Sequence, residues 1–411
     1  MSAPAGPIRI LVVGEEHVRE KLARHYDQLQ DARGIETHYY VDDRSGITRE
    51  LQRRRQRPLN VHYAPVPAAR PLPVLRYWRE FVRTFERVRP DVLEVYSSVH
   101  FALLYPMMEY ARARGVARVM VCRGELWPPV FYGVSRVQQT LLVRMIRSAS
   151  LVVYKELYMD RMLDRYAPRA PRFCWTNAIP VGAEPGYARE GDHVLFLNFF
   201  KEWRNLDVVV RAAPRVRERH PGVRFWLVGG SGELAESGRF YADLYQYEQR
   251  IRALIAELGV DDCVRILPYT AEVAPHYARA KVYVLPSDLV FCNYALLEAM
   301  ERGVPPVVSD EKDPDARRIV EDGVSGVVAP IDPAALADAI STLLADEPLR
   351  QRLARGARAR VEERYDLQRW IGALGDRYAQ LAAARRARRA GRAGAHALAA
   401  AGPDAGGAPR P

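Results

Sequence analysis

Short runs of β-branched and other apolar residues alternate with longer segments of helical period along most of the chain. This is the pattern of βαβ units on a parallel sheet. In the first half the apolar runs fall at 8–13, 37–41, 92–95, 118–122 and 151–154, with helical patterns such as 72–88 and 101–114 between them. In the second half they fall at 194–197, 223–228, 264–267, 282–285, 306–308 and 326–328. The alternation occurs twice, so the fold class is α/β with two Rossmann-like, doubly wound domains. Residues 177–192 (N-A-I-P-V-G-A-E-P-G-Y-A-R-E-G-D) carry no period and hold two prolines and three glycines, the composition of an interdomain linker with a cleft beside it. The expected organisation is a first domain over 1–177, a linker at 178–192, a second domain over 193–364 and a helix at 365–381. From 382 to 411 the chain is poor in large apolar groups, and a disordered basic tail is expected there.

Composition narrows the class without naming a reaction. The 411 residues are 48% apolar and 27% charged, which excludes a fibrous or wholly disordered chain. No stretch approaches about 18 uninterrupted apolar residues, and the N-terminus lacks a charged segment leading into a cleavage site. Four separate cysteines, Cys122, Cys174, Cys263 and Cys292, fit neither a disulfide framework nor a thiolate metal site. A reducing cytoplasm is the expected location. The formal charge of +11 is uneven: residues 1–190 hold 30 basic against 20 acidic side chains, 191–381 hold 25 against 29, and 382–411 hold 6 against 1. Only five of the 61 basic residues are lysine, as GC-rich codon usage would produce, but codon usage does not explain the asymmetry.

Candidate chemistry concentrates at 285–310, L-P-S-D-L-V-F-C-N-Y-A-L-L-E-A-M-E-R-G-V-P-P-V-V-S-D. A strand ends at Leu285, and a helix beginning near Asn293 carries Glu298 and stops at Gly303. Such a helix aims its first N–H groups, around Asn293, Tyr294 and Ala295, at the carboxyl edge of the sheet, where a diphosphate is a natural occupant. A carboxylate further along that helix can accept hydrogen bonds from both hydroxyls of a sugar diol. A surface glutamate is the competing reading of Glu298.

The segment L-L-E-A-M-x-x-G-V-P-P-V-V-S-D resembles the donor-site motif of glycosyltransferase family 4 (group 1), the retaining group with the two-domain GT-B fold whose domains face a central cleft. Residues 195–207, L-F-L-N-F-F-K-E-W-R-N-L-D, resemble the strand, loop and helix that bring basic side chains to the diphosphate. Residues 223–232 resemble the second-strand glycine loop with Gly229 and Gly230, and 262–267 with 277–286 resemble the strands beside the base, placing Leu267 and Pro268 there. The resemblance covers 193 to about 365. It implies a nucleotide-sugar donor, retention at the anomeric carbon, Arg204 and Lys201 on the diphosphate, Glu298 on the ribose, and no cofactor or metal.

Two positions depart from the family pattern. The glutamate usually found eight residues before the helix glutamate is Val290 here, and the usual arginine after the first strand of the domain aligns with Phe199. The first domain resembles the family only in outline. Its first strand ends V-G-E-E without G-x-G-x-x-G, which disfavours a dinucleotide cofactor. The loop R-G-E-L-W-P-P places Arg123 and Glu125 on the acceptor side, either as ligand contacts or as an ion pair shaping the loop. Asp313 in D-P-D reads as a helix N-cap rather than a metal ligand.

Two basic features of the first domain point to an anionic acceptor or peripheral contact with the inner membrane surface. One is the segment 44–57. The other is the helix at 72–88, whose stripe of Leu75, Trp78, Phe81 or Val82, Phe85 and Val88 either lies on a membrane or packs on its own sheet. A nucleic-acid partner is not expected, because the best-matched segments belong to the more acidic half. The expected activity is glycosyl transfer. A nucleotide-binding partner subunit and an epimerase-like relative stay open as alternatives.

Overall fold

The computed structural model describes residues 6–400 except 15–17, 19, 43–45, 66–70, 97–100, 123–125, 127, 157, 232–238, 271, 291 and 310–318. The chain divides into two units, Met1–Trp175 with Arg369–Pro411, and Thr176–Gln368.

The first unit is built on β1 (Ile8–Val13), β2 (Ile35–Val41), β3 (Asn60–Tyr63), β4 (Val92–Tyr96), β5 (Ala117–Cys122), β6 (Leu151–Tyr154) and β7 (Arg172–Cys174). They form one parallel sheet in the order β3-β2-β1-β4-β5-β6-β7. β4 and β6 are buried along their whole length, as strands covered by helices on both faces must be. The two strands that the apolar pattern does not announce, β3 and β7, are the two edges. N-V-H-Y and R-F-C are short and half-exposed, so they carry no continuous apolar run.

The helix Pro71–Val88 lays Phe81, Phe85 and Val88 into this core, with Phe81 packed edge-on against Tyr40. The apolar stripe is therefore largely covered by the unit's own sheet. Leu75 is the exception and stays 53% exposed. The arginine segment is also largely neutralised by neighbours. Arg53 and Arg54 pair with Glu50, Arg55 with Asp27, and Arg57 with Asp31 at 2.9 Å.

The chain does not lose order at residue 382. The helix Leu367–Ala400 continues through it. Runs of alanine and arginine are strong helix formers, and this helix is tied down along the way. Tyr378 is fully buried and donates to Glu94 of β4, while Arg385 and Arg386 reach Asp91 at 2.8 and 2.9 Å. Counting large apolar groups missed these polar anchors.

The second unit holds β8 (His193–Leu197), β9 (Arg224–Gly230), β10 (Val264–Pro268), β11 (Val282–Leu285), β12 (Pro306–Val308) and β13 (Val327–Val328), parallel in the order β10-β9-β8-β11-β12-β13. Helices Leu206–Arg219, Arg239–Glu257, Tyr294–Glu301, Pro333–Ala345 and Glu347–Arg364 complete it. The irregular stretch before β8 belongs to this unit. Gly182 N donates to Glu301 Oε1 at 3.0 Å, and the buried Arg358 bridges Glu301 Oε1 at 2.7 Å and Gly182 O at 2.5 Å.

Candidate active site

In the second sheet the strand order reverses between β8 and β11, the topological switch point at which open α/β sheets leave room for a ligand beyond their carboxyl ends. The loops leaving these two strands are cross-tied. Asn205, held left-handed at φ 51°, donates from Nδ2 to Pro286 O and to Asp288 Oδ1, both at 2.8 Å. Asp288 N and Ser287 Oγ donate in return to Trp203 O at 2.9 and 3.1 Å.

This clamp fixes the turn Glu202–Arg204 and presses Arg204 inward, to 7% exposure. Its guanidinium carbon lies 4.0 Å from the centre of the Trp203 ring, and among the described residues Nη1 has no hydrogen-bond partner. Burial lowers its pKa to about 10, opposed by Tyr283, so the group keeps its charge at neutral pH. A desolvated cation short of partners is costly and is satisfied by an incoming anion. Lys201 precedes the turn and is half-buried, while Glu202 pairs away from it with Arg250.

The glycine pair has a steric cause. Gly229 sits at φ +128°, and a Cβ there would lie 2.0 Å from Asn198 O in the loop after β8. The next residues pin the loop edge. Ser231 N and Oγ both donate to Glu248 Oε2, at 2.6 and 2.7 Å, and Arg252 holds the other oxygen at 2.6 Å. Burial alone would raise the Glu248 pKa, but the Ser231 donors and Arg252 outweigh it and hold the carboxyl below its ordinary value. At the end of β10 the register against β9 shifts between Leu267 and Pro268, bringing Pro268 beside Gly230. Just beyond, Tyr269 stacks on Phe199 with centroids 5.5 Å apart and planes 4° from parallel. Thus the position where the family pattern has an arginine carries a ring with an aromatic partner on the neighbouring loop. Neither Glu248 nor this stack shows in the sequence, because the members of each pair are remote and belong to no local motif.

The helix Tyr294–Glu301 starts as expected, with Asn293 as its N-cap. The cap changes one expectation, because Asn293 Oδ1 accepts from Ala295 N at 2.8 Å and Leu296 N at 3.4 Å. The Ala295 amide is thus already engaged by the cap. Glu298 is half-buried, with Oε2 3.3 Å from the hydroxyl of the buried Tyr277, which also lies 3.0 Å from Ala295 O. Tyr283 joins the two halves of the site. It is fully buried and donates to Leu197 O at 3.3 Å; burial raises its pKa, the Arg204 charge opposes that rise and the Glu298 charge adds to it. Arg204 and Glu298, from separate segments, therefore flank one tyrosine. Val290 is fully buried in the hydrophobic core of the unit, so the residue aligned with the missing glutamate does not offer its side chain to solvent.

Arg123 and Glu125 lie outside the described residues, as does Asp313. Among the described residues no group of three or more His, Cys, Asp or Glu could hold a metal, and no helix is long and apolar enough to cross a membrane.

Residues 191–346 match the family model described as Glycosyl transferases group 1. The chain is similar to the exopolysaccharide phosphotransferase of Streptomyces coelicolor, 31% identical over 51% of this chain and 21% of that protein. It is also similar to the D-inositol 3-phosphate glycosyltransferase of Frankia alni, 35% identical over 44% of this chain and 43% of that one. In both cases the match spans less than half of the relative's length. Among solved structures, Anabaena HepE in complex with UDP and glucose superposes with a TM-score of 0.68 over 91% of this chain and all of that one, at 17% identity. Two parallel Rossmann-like sheets in this arrangement of strands are those of the GT-B fold, and residues 191–346 are similar to the group 1 glycosyltransferases.

Proposed function

We propose that the protein transfers a sugar, with retention and without a metal ion, from a nucleoside diphosphate donor to an anionic acceptor. The observation that carries this reading is Arg204, a buried guanidinium with an unpartnered Nη1 at the switch point of the group 1 domain. Negative charge grows on the leaving diphosphate as the glycosidic bond to the donor breaks, and a fixed cation in a desolvated site stabilises that added charge more than the smaller charge of the intact donor. Lys201, one turn earlier, adds a second cation. Glu298, oriented by Tyr277, accepts from the ribose hydroxyls and sets the donor's register. Residues 1–190 carry the basic excess, and one relative is named for inositol 3-phosphate, an anionic acceptor. Both favour an anionic acceptor, reached in the cytoplasm or at the inner membrane face.

Thermal shift with UDP, GDP and ADP tests the donor half. Stabilisation by one of them that disappears in Arg204→Ala and Glu298→Ala is expected, and no shift with any of the three would overturn it. The buried Val290 favours a second reading, binding of nucleotide without transfer. Incubation with labelled nucleotide sugars separates the two, since neither hydrolysis nor transfer occurs in the second.

A further inference from the structure

At the amino edge of the first sheet, where the chain enters β4 and β5, lies a cavity of ≈ 510 Å³ lined by Phe85, Glu86, Arg89, Arg114, Gly115, Val116, Arg385 and Arg388. Phe85 and Val116 are buried and form an apolar floor; the walls are four guanidiniums against one carboxylate. Glu86 neutralises Arg114 and accepts from Tyr110 at 2.7 Å, and Arg385 shares Asp91 with Arg386. Among the described residues Arg89 and Arg388 are in no ion pair. Arg388 also lies close enough to Arg118 to oppose its protonation, although burial is the larger cause of that lowered pKa.

The bland account is that these arginines face the carbonyl ends of the helices Pro71–Val88 and Phe101–Ala113, which finish here. Those ends already have backbone donors: Arg89 N to Phe85 O at 2.8 Å, Arg114 N to Tyr110 O at 3.1 Å and Val116 N to Ala111 O at 2.9 Å. Two helix C-termini contribute about half an elementary charge each, which together with Glu86 leaves about two positive charges unmatched. Arg89 also holds a left-handed conformation, φ 50°, at the end of its helix, a backbone region that glycine adopts without strain. The neighbouring helix makes the same kind of ending with Gly115, φ 66°. An arginine in that conformation places a cation at the cavity mouth at the expense of backbone strain.

We propose that this cavity binds a phosphate-bearing anion of at least two negative charges, gripped by Arg89 and Arg388 with Arg114 and Arg385 behind them. A cavity of this size takes a small phosphorylated molecule or the headgroup of an anionic phospholipid, which present the same chemistry.

The test uses the full chain, with sodium tripolyphosphate as the probe by calorimetry at constant ionic strength. It is made in the Arg204→Ala background, so that binding at the proposed donor site does not contribute. Arg89→Gln with Arg388→Gln is expected to weaken binding at least tenfold, and Arg388→Gln alone by a smaller factor, while the melting temperature without probe stays put. In a second arm, cosedimentation with cardiolipin vesicles, whose headgroup carries two phosphodiester charges, over phosphatidylcholine ones identifies a headgroup as the source if it, rather than tripolyphosphate binding, depends on Arg388. Unchanged affinity in both arms, or a fall in melting temperature with no loss of binding, overturns the proposal. The nucleotide shifts of the wild-type chain are scored separately, so failure here leaves the donor reading intact.

Discussion

The hydroxyl of Tyr277 lies 3.3 Å from Glu298 Oε2 and 3.0 Å from Ala295 O, so one buried phenol steadies both the carboxylate and the first turn of the helix that presents it. Burial is the main reason its pKa stands well above the ordinary tyrosine value, and the group stays a neutral donor. Tyr277→Phe keeps the ring and removes only this donor. The expected stability loss is about 1 kcal/mol, with nucleotide affinity falling severalfold, less than in Glu298→Ala. Calorimetric titration with the stabilising nucleotide checks the order; equal affinity in Tyr277→Phe and wild type would remove Tyr277 from the site.

Gly229 and Gly230 are adjacent yet unequal. At Gly229 a methyl group would sit 2.0 Å from a backbone oxygen at φ +128°, whereas at Gly230 the nearest atom is the Ile266 Cγ2 methyl at 3.1 Å. Gly229→Ala should cost on the order of 3 kcal/mol and Gly230→Ala about 1 kcal/mol or less. Chemical denaturation of the two variants measures the difference. Similar losses would mean that the loop after β8 yields more readily than its hydrogen bonds to the loop after β11 suggest.

The segments that carry the candidate site were legible because they are contiguous strand–loop–helix runs, where spacing alone sets Asn293 and Glu298 on one helix. What joins those segments was not legible. Asn205 to Asp288 and Phe199 to Tyr269 each pair side chains from different βα loops, which a parallel sheet brings together only through its strand order, and Ser231 to Glu248 joins a loop to the middle of the helix that follows it. The edge strands β3 and β7 escaped for a related reason, since half-exposed strands need no continuous apolar run. The helix beyond residue 382 was misjudged because its anchors, Asp91 and Glu94, lie far away in the chain and are polar.

Arg204 gives a pH dependence with a definite sign. Its pKa is lowered to about 10, so the cation proposed to meet the diphosphate is fully present at neutral pH and is lost as pH rises through that value. Affinity for a nucleotide sugar, whose diphosphate stays ionised throughout, should be flat in Arg204's contribution from pH 6 to about 9 and fall above it. In Arg204→Ala the alkaline fall should vanish along with most of the affinity. Stability moves the other way: the uncompensated charge penalises the folded state most below the folded pKa, so the unliganded protein loses that penalty as pH rises through about 10.

Asp91 offers the sharpest test of how the last helix is held. Its carboxylate is 8% exposed and takes Arg385 at 2.8 Å, Arg386 at 2.9 Å and the backbone N of Arg9 at 3.2 Å. Removing it leaves a half-buried guanidinium and an amide without their acceptor, so Asp91→Ala should cost about 2 to 4 kcal/mol. Tyr378 keeps its bond to Glu94. The helix should therefore fray from its far end rather than detach as a whole: hydrogen exchange should rise around Arg385 and Arg386 and stay slow around Tyr378. Uniform acceleration from Arg369 onward would mean that Asp91, and not the buried tyrosine, is the principal anchor.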